Sequence, residues 1–187
     1  MDESAIRAHL ERARSGDAEA QGQLFEAFRP DVTRLCQRLL TSREDAEDAA
    51  HETFLRLQRG LSSYDPERSF RRWLLSLAAH RAIDRLRRRR REQQLFDGAE
   101  DPALHPDGGE TPLHGELREE LRRRVQAAID TLPDRYRAPL VLRYYADLDY
   151  AAIGEILGVD VNQVATLLFR GRRRLREALE PGPGDAA

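Results

Sequence analysis

The sequence is poor in the residues that hold small extracellular proteins together and in long apolar runs. It has a single cysteine, Cys36, and no lysine, so all 31 basic side chains are arginines. One thiol excludes an internal disulfide and a thiolate metal cluster. The longest apolar runs, such as 139–142, are far too short to span a membrane, and the acidic start is unlike a signal peptide. We therefore expect a cytoplasmic protein that does not insert into a membrane.

The motifs of common enzymes are also missing. His51 and Glu52 are not followed by the second histidine that a zinc-binding helix needs four residues later. The sequence has no glycine-rich phosphate loop and no G-x-S-x-G, and paired acids such as Asp45 and Asp48 fall on a predicted solvated helix face. The sequence therefore predicts no enzyme, no cofactor and no metal site.

The net charge of −2 is the sum of strongly charged blocks of opposite sign. Seven arginines against Asp84 give residues 81–91 a charge of +6, whereas five acids against Arg43 give residues 43–52 a charge of −4. Eight acids against Arg118 give residues 97–120 a charge of −7. The near-neutral total therefore does not describe the local charge of the chain.

Apolar residues recur at helical spacing along most of the chain, and strand signals are almost absent. This pattern predicts an all-α protein in which a second helix ends at Pro30, a third runs to Leu40 and a long helix follows Ser69. Residues 97–115 hold three prolines, four glycines and five acids, which predicts a flexible, extended linker. We expect two small helical domains joined by that linker, with these bounds: domain 1–96, linker 97–115, domain 116–180 and a disordered tail 181–187.

The clearest local constellation lies near the C-terminus. Asp149 can cap one helix, Gly158 permits a tight turn, and Asp160 can cap the next helix. Two short helices with a glycine turn and a shared apolar seam predict a helix-turn-helix, although an ordinary helical hairpin has the same pattern. Amide and guanidinium groups, which read bases and hold phosphates, dominate the predicted outer face of the second helix. Its members are Asn162, Gln163, Thr166, Phe169, Arg170 and Arg173.

The predicted helix 43–59 has one leucine on its polar side. Leu55 lies opposite the apolar stripe and is surrounded, at helical spacings, by Asp48, His51, Glu52 and Arg59. An outward leucine in a charged collar is typical of a docking surface for a protein partner. The alternative is a single exposed leucine without a function, which is common.

The long helix after Ser69 is apolar on two faces and then becomes wholly basic over residues 87–91. Trp73 is therefore expected to anchor the core rather than to stack on a base. The basic end can attract a polyphosphate or can simply be solvated. Tyr64, in the loop before this helix, is expected to be exposed and able to stack on an unpaired base.

Three stretches together resemble the extracytoplasmic-function (ECF) group of bacterial sigma-70 sigma factors. They read DAEDAAHETFLRL from Asp45, YDPERSFRRWLLSLAAHRAIDRLRRRRR from Tyr64, and LPDRYRAPLVLRYYADLDYAAIGEILGV from Leu132. The resemblance implies regions 2 and 4 of a sigma factor joined by a flexible linker. It also implies a transcription initiation factor that gives core RNA polymerase its promoter specificity.

The same resemblance implies roles for individual residues. Region 2 would dock on the coiled coil of the largest polymerase subunit, through Asp48, His51, Glu52, Leu55 and Arg59. It would open the −10 element with a set of loop and helix residues, and region 4 would read the −35 element with the outer face described above. The implied −10 set is Ser62, Ser63, Tyr64, His80, Arg81, Asp84, Arg85 and Arg88. The flap of the polymerase and an anti-sigma factor are the further partners that the resemblance implies.

Two departures from the family pattern keep alternatives open. Positions that are commonly basic in the recognition helix are Ala165 and Leu167 here, which predicts fewer phosphate contacts and weak −35 binding. One alternative is a sigma-like protein whose −35-reading helix is degenerate. The other is a stand-alone helix-turn-helix regulator, which would leave Leu55 and its collar without a function.

Overall fold

The computed structural model describes residues 3–40, 42–96 and 116–180. Within these ranges the chain forms eight α-helices and one 3-10 turn over Leu61–Ser63, with no β-strand, so the predicted all-α fold is confirmed. The helices are α1 (Glu3–Arg14), α2 (Ala18–Leu39), α3 (Arg43–Gly60), α4 (Phe70–Phe96), α5 (Glu116–Asp130), α6 (Asp134–Tyr144), α7 (Tyr150–Leu157) and α8 (Val161–Leu179).

The N-terminal half, α1 to α4, is a helical bundle whose helix starts are fixed by local polar side chains. Asp17 accepts a hydrogen bond from Ala20 N at 3.1 Å, and Ser42 accepts one from Asp45 N at 3.2 Å. Such N-caps satisfy backbone donors that a helix start leaves without a partner. The bundle core contains fully buried leucines contributed by α2, α3 and α4, among them Leu24, Leu35, Leu57 and Leu74.

The expected helix end at Pro30 is wrong, because α2 continues through that proline to Leu39. Proline removes one backbone hydrogen bond and costs about 3 kcal/mol inside a helix. Leu24 and Phe25 before the proline, and Val32 and Leu35 after it, are all buried in the same bundle. Burial of a large apolar side chain stabilises by about 1.5–3 kcal/mol, so these residues together outweigh the cost of the proline.

The C-terminal half, α5 to α8, is a smaller bundle built around α6 and α8. Leu140, Ile153, Val164 and Leu168 form its buried centre. Gly171 permits the close approach of α8 to α6, because a Cβ there would lie 3.1 Å from Leu140 Cδ1. This packing holds α8 so that its opposite face points away from the bundle.

The two halves touch each other directly. Helix α2 packs on α6, α4 packs on α7, and the buried residues of both halves join one apolar cluster. The sequence predicted the two helical units but not their contact. The predicted linker 97–115 and tail 181–187 lie outside the described residues, and the predicted domain bounds stay a prediction.

Candidate nucleic-acid and protein interfaces

The surface around Leu55 is formed by the outer side of α3, and we call Asp48, His51, Glu52, Leu55 and Arg59 the Leu55 collar. Leu55 is 41% exposed, whereas Thr53 and Leu57 on the other side of the helix are fully buried. The predicted exposure of Leu55 is therefore confirmed. When a partner binds, a leucine at the centre of such a surface loses its contact with water and contributes affinity, and the charged neighbours orient the partner.

One arginine of α4 ties the carboxylates of α3 together. The Arg85 guanidinium donates to Glu52 Oε1 at 2.7 Å, to Asp45 Oδ1 at 3.1 Å and to Asp48 Oδ2 at 3.3 Å. Burial acts to lower the pKa of Arg85, but the hydrogen bond and charge of Glu52 and the charge of Asp48 outweigh it and raise that pKa. The carboxylates of α3 therefore hold Arg85. Asp45 also belongs to this network, although no sequence pattern singled it out as part of the collar.

The expected exposure of Tyr64 is wrong, because only 3% of this residue is accessible to solvent. Its ring centroid lies 5.5 Å from that of Phe70 and 5.1 Å from that of Trp73, and its hydroxyl donates to the Arg68 carbonyl oxygen. Burial raises the pKa of Tyr64, with a smaller contribution from the charge of Asp65. In this arrangement Tyr64 closes the aromatic core and presents no ring face on which a base can stack.

The other residues predicted for the −10 contact lie on the loop and on the middle of α4. Ser62 and Ser63 are exposed, and Ser63 donates to the Gly60 carbonyl at 2.7 Å. Asp84 is exposed and pairs with Arg81 at 3.2 Å, while Arg88 is exposed on the next turn. His80 is half-buried, with its Nδ1 2.9 Å from Ser76 O. Of this set, the serines, Asp84 and Arg88 are the most accessible to a nucleic acid.

The predicted helix-turn-helix is confirmed in α7 and α8, which are bent by 96° at the break between them. Asp149 accepts from Ala152 N at 2.8 Å, and Asp160 and Gln163 form the expected capping box with bonds of 2.8 and 3.2 Å. Gly158 has a φ of +66°, the left-handed conformation that favours glycine. The two caps and the left-handed glycine, all of them local features, determine this turn.

A second glycine, missed by the sequence reasoning, sets how closely α7 approaches the turn. A Cβ on Gly154 would lie only 2.7 Å from the backbone oxygen of Val159. Any larger residue would therefore push α7 away from the turn. The sequence does show a glycine inside an otherwise apolar predicted helix, and that is the signal that could have identified this position.

The predicted outer face of α8 is exposed at every position: Asn162, Gln163, Thr166, Phe169, Arg170 and Arg173. Phe169 is 63% exposed, an unusual state for a large aromatic side chain. Gln163 uses its Oε1 in the capping box, so its amide donors remain directed outward. Donors and guanidinium groups on one open helix face fit base edges and phosphates of a major groove. Val161, at the first position of the helix, is also 49% exposed, and the buried side of α8 is formed by Val164 and Leu168.

Among the side chains that the structure describes, no group of three or more His, Cys, Asp or Glu is arranged to hold a metal ion. In the same part of the chain, no single helix is both long and apolar enough to cross a membrane, and only the bent α7–α8 pair has a sufficient length and composition when its two helices are taken together.

Comparison with known families finds two matches, which together cover more than half of the chain. Residues 24–92 match the family described as Sigma-70 region 2, and residues 122–175 match Sigma-70, region 4. The chain is 32% identical over 183 residues to the ECF RNA polymerase sigma factor SigW of Bacillus subtilis, covering 95% of this chain and 98% of that relative. It is 35% identical over 179 residues to the ECF RNA polymerase sigma factor SigE of Mycolicibacterium smegmatis, covering 92% and 68%.

Two solved structures share the fold. One is CnrH in complex with the cytosolic domain of CnrY, with a TM-score of 0.56, 23% identity and coverage of 94% of this chain and 97% of that one. The other is the sigma factor RpoE in complex with the anti-sigma factor NepR from Bartonella quintana, with a TM-score of 0.59, 22% identity and coverage of 84% and 95%. The similarity in structure therefore extends over both halves of the chain.

Proposed function

The chain belongs to the ECF group of sigma-70 sigma factors, and from that premise we propose that it docks on core RNA polymerase through the Leu55 collar and reads promoter DNA with both halves. Its N-terminal half takes the role of region 2 at the −10 element, and the outer face of α8 takes the role of region 4 at the −35 element. The observation that carries this proposal is that both surfaces are exposed on one chain.

The collar offers polymerase an apolar anchor and a negative rim. Leu55 supplies the surface that is desolvated on contact, and Asp48 and Glu52 supply charges that orient a basic partner. A stand-alone regulator would not need this surface, and the match to region 2 favours a sigma factor over that alternative. We place the activity in the cytoplasm, where DNA and polymerase are found, and we include the flap of the polymerase and an anti-sigma factor among its partners.

The −10 contact is proposed for the residues that the fold leaves accessible. Ser62, Ser63, Asp84 and Arg88 can meet the opened strand directly. Tyr64 supports the loop from beneath, because it is packed between Phe70 and Trp73. The protein contributes binding and shape at this site and needs no catalytic group for that role.

The test is transcription by core polymerase on sheared genomic DNA, with mapping of RNA 5′ ends in the presence and absence of the protein. We expect new starts that share two spaced motifs, and we expect Leu55→Glu to abolish them. The loss of a central anchor typically costs 2 kcal/mol or more, so the affinity of this variant for core polymerase should fall by about 30-fold or more.

Leu121→Glu is the matched control, because Leu121 is a more exposed leucine, at 59%, and lies on α5 in the other half. It should keep the starts. Starts that share only a −10 motif would support the degenerate form of region 4. The absence of new starts, together with sequence-specific binding by the protein alone, would support the stand-alone regulator and refute the proposal.

A further inference from the structure

Tyr136, in the first turn of α6, lies where α8 packs tightly against that helix. It is only 6% exposed, and Gly171 of α8 faces it, because a Cβ on that glycine would lie 3.2 Å from the Tyr136 backbone oxygen. A side chain there would crowd this contact. Arg170 and Arg174, which are one turn apart on α8, flank the glycine. The close approach of the two helices therefore brings both arginines up to the tyrosine.

Three guanidinium groups gather around the Tyr136 side chain. The guanidinium carbon of Arg135 lies 4.8 Å from the ring centroid, and that of Arg174 lies 5.0 Å from it. Both distances are within the range at which an aromatic face attracts a cation. Burial acts to raise the pKa of the Tyr136 phenol, but the surrounding arginine charges and a hydrogen bond that Arg170 donates to it outweigh burial and lower that pKa. One tyrosine thus brings together arginines of two helices.

We call Tyr136, Arg135, Arg170 and Arg174 the Tyr136 cluster, and its three charges face solvent. All three arginines are exposed, although the ring between them is buried. The acid nearest to the cluster in sequence, Asp134, pairs with Arg90 at 3.1 Å and also with Arg137, so its charge is directed to other arginines. Guanidinium groups concentrated on an open surface attract a polyanion.

The Tyr136 cluster adjoins the outer face of α8 that is proposed to read DNA, and Arg170 belongs to both. Leu167, Arg170 and Arg174 follow one another at spacings of three and four residues, which places them on one edge of α8. Leu167 occupies one of the two positions of this helix that are commonly basic in the family. The cluster therefore adds Arg135 and Arg174 to the edge on which that cation is missing.

We propose that the Tyr136 cluster is a binding site for the DNA backbone, in which Arg135 and Arg174 each hold a phosphate beside the −35 element and Tyr136 is their positioning residue. This inference rests on the proposed function of α8 and extends it to a second helix, α6. A guanidinium group that lies over an aromatic ring keeps its in-plane N–H donors for phosphate oxygens. The Tyr136 hydroxyl takes one of the five donors of Arg170, which leaves the others for a base edge or a phosphate.

The site also accounts for the charge that the recognition helix itself lacks. Each phosphate that a cation neutralises adds about 0.9 to the slope of log affinity against log salt concentration. The two contacts of Arg135 and Arg174 equal in number those that Ala165 and Leu167 cannot make. An arginine that is already held against a ring also loses less freedom when it binds, and such preorganisation increases affinity.

Salt-dependent binding of the full chain to a fluorescent duplex of random sequence, about 20 base pairs long, tests the site without polymerase or a known promoter. We expect Arg135→Gln to lower the slope by about 0.9 and to weaken binding about eightfold at about 0.1 M salt. Arg124→Gln is the matched control, because it removes the same charge from an exposed arginine of α5 in the same half. It should keep the wild-type slope. Equal slopes for the two variants would overturn the proposal.

The positioning role of Tyr136 has a separate readout. Tyr136→Leu keeps every charge, so it should leave the slope unchanged but lower the affinity about two- to fivefold, as expected for the loss of one cation–π contact. Tyr136→Phe keeps the ring and should retain most of the affinity. In an Arg174→Gln background the effect of Tyr136→Leu should shrink, because the two residues act together.

Circular dichroism and thermal unfolding separate this role from a purely structural one. A Tyr136→Leu protein that melts at a lower temperature but binds DNA with wild-type affinity would refute the positioning role. Arg135 is exposed, so its variant tests the site independently of the fold. None of these measurements uses polymerase. An absence of new transcription starts would therefore refute the proposed function and leave the binding result standing.

Discussion

Replacing Arg85 by glutamine gives a sharp test of the network that joins α4 to α3. Glutamine keeps part of the side-chain stem but removes the charge and the forked donors that reach Glu52, Asp45 and Asp48. The three acids would then lie on one side of α3 without a common cation. We therefore expect the N-terminal half to be less stable and the collar to be less well ordered.

The magnitude follows from the exposure of the groups. The Arg85 side chain is 23% exposed, but the three carboxylate side chains are between 36% and 59% exposed, so water screens each pair. Exposed pairs are worth about 0.2–1 kcal/mol each, which gives a loss of about 1–2 kcal/mol in the free energy of unfolding. At 1 M salt the screening length falls to about 3 Å, so at least half of that loss should disappear.

The assay is urea unfolding followed by the fluorescence of Trp73, the sole tryptophan, which reports on the N-terminal half. Arg88→Gln is the matched control, because Arg88 is exposed one turn farther along α4, and it should cost less than about 0.5 kcal/mol. For binding to single-stranded DNA the order should reverse, with Arg88→Gln lowering the salt slope by about 0.7. Equal losses of stability in the two variants, or a loss from Arg85→Gln that salt does not change, would refute this account.

Three further expectations concern other parts of the chain. Gly154→Ala should destabilise the C-terminal half by about 1–3 kcal/mol because its Cβ would meet backbone. Gly22→Ala has open space around it and should stabilise α2 by about 0.5–1 kcal/mol. Thermal unfolding measures both changes, and a change of the same sign in the two variants would contradict this expectation. Burial raises the pKa of Cys36 to about 12, so alkylation at pH 8 should be roughly a thousandfold slower in the native protein than in urea, and rapid native labelling would contradict this. Ala165→Arg and Leu167→Arg should each steepen the salt dependence of promoter binding by about 0.9, and unchanged slopes would show that these positions do not limit it.

The parts of the fold that the sequence predicted are those with local causes. The caps at Asp149 and Asp160 and the turn at Gly158 depend on residues within four positions of each other, and the structure has all three. The exposure of Leu55 followed from helical periodicity, which is equally local. Local hydrogen bonds and side-chain direction on a helix are properties that a short stretch of chain determines by itself.

The parts that the sequence did not predict depend on residues far apart in the chain. Pro30 is a strong local stop, yet burial on both sides of it keeps α2 intact. Tyr64 looked like a loop residue, but Phe70 and Trp73 return to cover it. Tyr145 bonds to Asp31 and Arg71, which lie more than 70 positions away in the chain, and no periodicity or motif carries that information.

Helix α4 is a single rod of 27 residues, about 40 Å long, that passes through every part of the proposed mechanism. Its first turn holds the aromatic core, its middle holds the acids of the collar through Arg85, and Arg87 and Arg90 hold the other half. A rigid rod behaves as a lever, so a tilt of about 10° around its centre moves each end by about 3.5 Å, more than a hydrogen bond can stretch. A partner that shifts α3 at the collar would therefore also move the contacts of Arg87 and Arg90 with the C-terminal half.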